Sequence, residues 1–258
     1  MTKIRALNLL VFRAGPTVWD AQGLVSGSAD MPLIPEALHL AKATFACLNG
    51  TASKVAAVCC GPEEACVKAA DLFAAYCGVQ ELVDKGLQEV SLGLWEGLRE
   101  GEISHRYTSL HRQWRQDPFS VVVPESEGFE KAARRVVQTL LKLMPKRAAM
   151  LKRSLLQAHI PRGLGTGLVG GLAAGESPLI GVVVRPWIFG MLVAGWMPGC
   201  VDANGRDPSM VRDWAMGSER MRQVRLVLDT QGSGKQNNAQ RLSSGPEDAH
   251  AQRTLEAT

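Results

Sequence analysis

The sequence predicts an α/β protein, a three-layer α/β/α sandwich around a mostly parallel central sheet. Residues 6–12 (ALNLLVF), 54–60 (KVAAVCC) and 179–184 (LIGVVV) are apolar runs of strand length without polar alternation. That is the pattern of strands buried on both faces. Helical patterns lie between these runs, and strands alternating with helices predict a sheet covered by helices. The chain has 258 residues, 46% of them hydrophobic and 21% charged, enough for a sizeable core.

Each helix carries its own start signal. Residues 35–48 begin with Pro35 and Glu36, a favourable first turn, and residues 62–77 begin likewise with Pro62, Glu63 and Glu64. Residues 127–144 place Phe129, Ala132, Val136, Leu140 and Leu143 on one face, with Arg134, Arg135 and Lys142 elsewhere. The apolar stretch 177–200 is long enough to span a bilayer. Arg185 and Pro186 split it, so it reads as a buried strand turning into a buried helix rather than as a membrane segment.

Six cysteines form no CxxC pair and have no histidine at zinc-finger spacing. They read as reduced residues in or near the core of a cytoplasmic chain, with no metal site. A net charge of +4 without a Lys/Arg block suits a small anionic ligand and argues against nucleic acid. Gly165, Gly167 and Gly170 match GxGxxG inside the glycine-rich segment 162–176. The preceding LKRSLLQAHIPR is a poor strand, Gly175 and Pro178 interrupt any helix, and no acid occurs from 177 to 201. The segment therefore reads as an insertion, and no nucleotide cofactor is expected. Beyond residue 229 the composition becomes polar and poor in large apolar residues, so 1–229 is expected to be one domain and 230–258 a disordered tail.

The chemistry concentrates at the end of the first strand, in LLVFRAGPTVWDAQG, residues 9–23. Gly27, Asp30-Met31-Pro32-Leu33 and Pro35-Glu36 follow, then CCGPEEACVKAADLF, LQEVSLGLWEGL (87–98), Ile103, Tyr107, Trp114 and PESEGFEKAARRV. In that order the pieces resemble the histidine phosphatase, or phosphoglycerate mutase-like, superfamily, closely over residues 6–145 and more loosely over 178–200. The resemblance implies its sandwich fold and a phosphate-binding site. It also implies transfer of a phosphoryl group to the histidine of an Arg-His-Gly motif, with arginines spreading charge and a carboxyl group protonating the leaving oxygen.

The nucleophile position of that motif is Ala14, and a methyl group accepts no phosphoryl group. The family's second arginine falls on Ala65, beside Glu63 and Glu64. The second histidine falls on Pro186 if residues 179–184 are the strand before it; His159 is the competing assignment. What survives is Arg13 and Glu89 as catalytic remnants, with Arg13 and Thr17 as phosphate ligands. Each has a plainer reading: Arg13 as a loop arginine paired with Asp20 or Asp30, Glu89 as a solvated acid, Thr17 as a helix cap. Trp19, Trp95 and Trp114 read as core and loop anchors, and His39, His105 and His111 as surface or half-buried residues. The expectation is a non-catalytic relative that binds a phosphorylated small molecule or a protein partner, with weak affinity for anions. The alternatives are an active phosphatase with an unusual site, and attachment to a membrane through 177–200.

Overall fold

The computed structural model describes residues 4–48, 51–157, 179–198 and 208–229. Five strands form one sheet: β1 (Ile4–Arg13), β2 (Val55–Cys60), β3 (Glu81–Val83), β4 (Leu179–Val184) and β5 (Met221–Asp229), in the order β3-β2-β4-β1-β5. The first four run parallel, and β5 lies antiparallel along β1 at the edge. The three expected strands are neighbours at the centre, with β4 between β1 and β2. The sequence analysis missed the two edge strands. β3 has only three residues, and β5 (MRQVRLVLD) mixes arginines into its apolar positions because it is half exposed.

Side chains alternate along β1 between two cores. Leu7, Leu9 and Val11 enter one, Leu10 and Phe12 the other. Both faces are buried, so the run carries no polar alternation. On one face lie α2 (Pro35–Ala46) and α3 (Glu64–Cys77). Ala37, Ala41 and Phe45 recur every fourth residue of α2 and turn inward, and Phe45 stacks on Phe73 of α3 at 4.9 Å. Cys60 and Cys66 are buried in this layer, whereas Cys47 is exposed, against the expectation that every cysteine lies in or near the core. The α3 helix stops at Gly78, whose φ of 68° is the left-handed conformation that glycine adopts without strain.

The opposite face carries α6 (Phe129–Gln157) and α7 (Pro186–Val193). The α6 helix starts two residues later than the sequence pattern suggests and runs well past residue 144. Its Ala132, Ala133, Val136, Val137 and Leu140 pack into the larger core with Ile188, Phe189 and Leu192 of α7. The short helices α1 (Val18–Ala21), α4 (Glu100–Arg106) and α5 (Thr108–Gln116) and the helix α8 (Pro208–Met216) complete the set. The glycine-rich segment 162–176, His159 and the segment 230–258 lie outside the described residues. None of the described helices is long and apolar enough to cross a membrane.

Two glycines set backbone distances near the site. A Cβ on Gly15 would stand 2.6 Å from the Cβ of Ala37, so this glycine lets α2 pack against the loop after β1. A Cβ on Gly190 would collide with the carbonyl of Val211, so Gly190 brings α7 and α8 together.

Candidate active-site cleft

A cleft of about 510 Å³ opens at the carboxyl ends of β1 and β4, where open α/β sheets place their sites. Arg13, the last residue of β1, lies at its inner end and is 7% exposed. Its Nη1 donates to the carbonyl of Ala215 in α8 at 2.8 Å, and its backbone N–H donates to the carbonyl of Arg220 at 2.7 Å. It makes no ion pair with Asp20 or Asp30. Burial lowers its pKa to about 10; Arg220 and Arg185 push in the same direction and Asp20 against it. Ala14 follows, 2% exposed, its N–H bonded to the carbonyl of Val184 at the end of β4.

Arg185 is the site's least expected residue. It directly follows β4, is 2% exposed, and lies across the cleft toward α1. Nη2 donates to Asp20 Oδ2 at 3.0 Å and to Ser26 Oγ at 2.8 Å, and Nη1 to the carbonyl of Gly15 at 3.3 Å. Burial alone would lower its pKa, but Asp20 and Glu89 outweigh that and hold it above its ordinary value. The same pairing holds Asp20 below the usual carboxylate range despite its own burial. A single arginine inside the apolar run 179–200 is the signal that could have found it, since a buried charge requires a partner.

Glu89 is buried, not a solvated acid. Its carboxylate accepts from the N–H groups of Trp187 (2.8 Å, Oε2), Ile188 (3.1 Å, Oε1) and Val90 (2.8 Å, Oε1). Pro186 at the first position of α7 has no N–H, and Phe189 N–H bonds back to the carbonyl of Arg185. The start of α7 is thus fully partnered, with an internal carboxylate where a helix N-terminus favours an anion. Burial raises the pKa of Glu89 to about 7 against these bonds and the charge of Arg185. Glu63 lies behind it: its Oε1 accepts from Glu89 N–H at 2.6 Å, and its buried Oε2 has no hydrogen-bond partner among the described residues. Burial pushes its pKa up as well.

The remaining residues singled out in the sequence divide between cleft and scaffold. Thr17 is buried and does not line the cleft. Its hydroxyl donates to Asp20 Oδ2 at 2.8 Å and caps α1, the plainer of its two readings. Ala65 is fully buried in α3 among the residues of the second core, away from the cleft lining. Glu64 is half-buried and pairs with Lys68. Pro186 lines the cleft at the end of β4.

Three aromatic readings change. Trp95 and Trp114 are core residues but also line the cleft, together with Trp187. His111 is 9% exposed, not a surface residue; it faces the cleft with Nε2 3.3 Å from Glu100 Oε1. Arg212 and Arg220 line the cleft too. Trp187, Arg212 and Arg220 carry no signal of a site in the sequence, because helices and loops remote in the chain bring them to the cleft. Among the described residues no cluster of His, Cys, Asp and Glu has the arrangement to hold a metal ion.

A mostly parallel sheet flanked by helices, with an arginine closing its first strand beneath a cleft, defines a phosphoglycerate mutase-like sandwich. The family model of the histidine phosphatase superfamily (branch 1) matches residues 9–155, and the chain belongs to that superfamily. Among curated relatives, "Bifunctional protein Rv2228c" of Mycobacterium tuberculosis is 32% identical over 128 residues, which is 50% of this chain and 35% of that protein. The chain therefore spans about a third of the length of the curated relatives it matches. Two solved structures share the fold. Mycobacterial glucosyl-3-phosphoglycerate phosphatase Rv2419c gives a TM-score of 0.61 at 19% identity, covering 86% of this chain and 91% of that one. Phosphoglycerate mutase from Bacillus anthracis strain Sterne gives 0.59 at 16% identity, covering 87% and 89%.

Proposed function

We propose that this chain is a non-catalytic member of the superfamily, whose cleft binds a ligand or partner without turning over a phosphate ester. One observation carries the reading: at the inner end of the cleft, each group suited to hold a transferring phosphoryl group is committed to a partner within the chain. Arg13 is bonded to Ala215, Arg185 to Asp20 and Ser26, and the N-terminus of α7 to Glu89. Ala14 stands at the nucleophile position, Pro186 at that of the second histidine and Ala65 at that of the second arginine. Arg13, Glu89 and Thr17 then serve structure, and affinity for inorganic phosphate is weak.

Phosphoryl transfer depends chiefly on positioned cations around the equatorial oxygens, and residues that act as a unit do not contribute additively. Ala14→His should therefore stay at the background rate with an aryl phosphate, and neither wild type nor variant should trap an acid-labile phosphohistidine. Trapping of a phosphohistidine on the wild-type chain would refute the reading.

One observation favours a second reading, an active phosphatase with an unusual active site. His111 lines the cleft with a carboxylate, Glu100, positioned on its Nε2, an arrangement that orients an imidazole for nucleophilic or base chemistry. In that reading His111→Gln abolishes hydrolysis while leaving the fold intact.

A further inference from the structure

Outside the self-satisfied inner end, the cleft presents a different set of groups. Trp95, Trp114 and Trp187 pack in succession edge to face, with centroids 5.1 and 5.4 Å apart and planes at 74° and 73°, and all three line the cleft. The Nε1–H of Trp95 is buried and has no hydrogen-bond partner among the described residues. A buried donor without an acceptor is costly.

Arg220 immediately precedes β5, and its carbonyl takes the Arg13 N–H, so it stands at the same carboxyl end of the sheet. Its guanidinium is half-buried and makes no hydrogen bond or ion pair with another described residue. Arg212, the other outer cation, is held by the carbonyl of Arg115 at 3.0 Å. Four arginines (13, 185, 212 and 220) and three carboxyl groups (Asp20, Glu89 and Glu100) line the cleft, and burial raises the pKa of Glu89 to about 7, so positive charge is in excess. A single carboxylate matches the guanidinium fork of Arg220, which no described residue occupies.

We propose that the cleft binds a flat, apolar monocarboxylate, an aromatic acid whose ring lies against Trp95, Trp114 and Trp187 and whose carboxylate meets Arg220. The proposal rests on the reading that the cleft binds without catalysis, and it names the ligand class. The ring makes apolar contact with the tryptophan wall, and Arg220 fixes the orientation.

Isothermal titration calorimetry of the full chain with 2-naphthoate, 2-naphthamide, acetate and inorganic phosphate tests it. Naphthoate should bind, with the neutral amide at least about tenfold weaker and acetate and phosphate weaker still. Arg220→Gln, at a half-buried position outside the core, should lower naphthoate affinity to that of the amide without shifting the thermal midpoint. No naphthoate binding, equal binding of acid and amide, an unaffected Arg220→Gln, or phosphate binding tighter than naphthoate would each overturn the proposal. Phosphohistidine trapping tests the non-catalytic reading separately, so either can fail alone.

Discussion

Arg185→Met should destabilise the fold by about 3–5 kcal/mol, the cost of leaving a buried charge without its partner. Methionine fills much of the volume but removes four hydrogen bonds, two to Asp20 and one each to Ser26 and the carbonyl of Gly15. Asp20 loses its counter-charge, and the buried acids Glu63 and Glu89 lose the cation that lowers both their pKa values. Denaturant unfolding measures the loss. The paired variant Arg185→Met with Asp20→Asn should recover part of it, because the orphaned carboxylate is then removed too. A loss no larger than that of an exposed ion pair, below about 1 kcal/mol, would show that Arg185 is not the electrostatic centre of the cleft.

Stability should fall as pH rises from about 4.5 to about 7, by roughly 3 kcal/mol from Glu89 alone. The folded pKa of Glu89, about 7, lies above its ordinary value of 4.5. The folded chain thus holds a proton that the unfolded chain releases. The stabilisation is complete below the unfolded value and is lost as pH passes through the folded one. Glu63, pushed up by burial, adds to the slope with the same sign. Unfolding midpoints measured across this range should show the decline, and Glu89→Gln should flatten it. A slope unchanged by that substitution would place the linked proton elsewhere.

The central strands were legible because burial on both faces leaves an unbroken apolar run, as in LLVF before Arg13 and LIGVVV before Arg185. β5 escaped because one half-exposed edge carries Arg222, Gln223 and Arg225 among its apolar residues. In the site, Arg13, Ala14 and Glu89 could be singled out because the contiguous motifs that hold them resemble those of the superfamily. The contacts that occupy them could not. Arg185 finds Asp20 across 165 positions, and Arg13 finds Ala215 across 202. Glu63 stands beside Ala65 in the sequence, and packing turns it inward against the backbone of Glu89. His111 and the tryptophan wall needed the turn of α5 against the segment around Trp95, which no spacing rule encodes.

In our proposal this cleft keeps the fold of a phosphatase without its turnover. Steady-state hydrolysis of 4-nitrophenyl phosphate by the full wild-type chain is the decisive measurement. The expected rate is indistinguishable from buffer at every protein concentration. A rate proportional to protein, and abolished by Arg13→Ala or His111→Gln in variants that still fold, would contradict it.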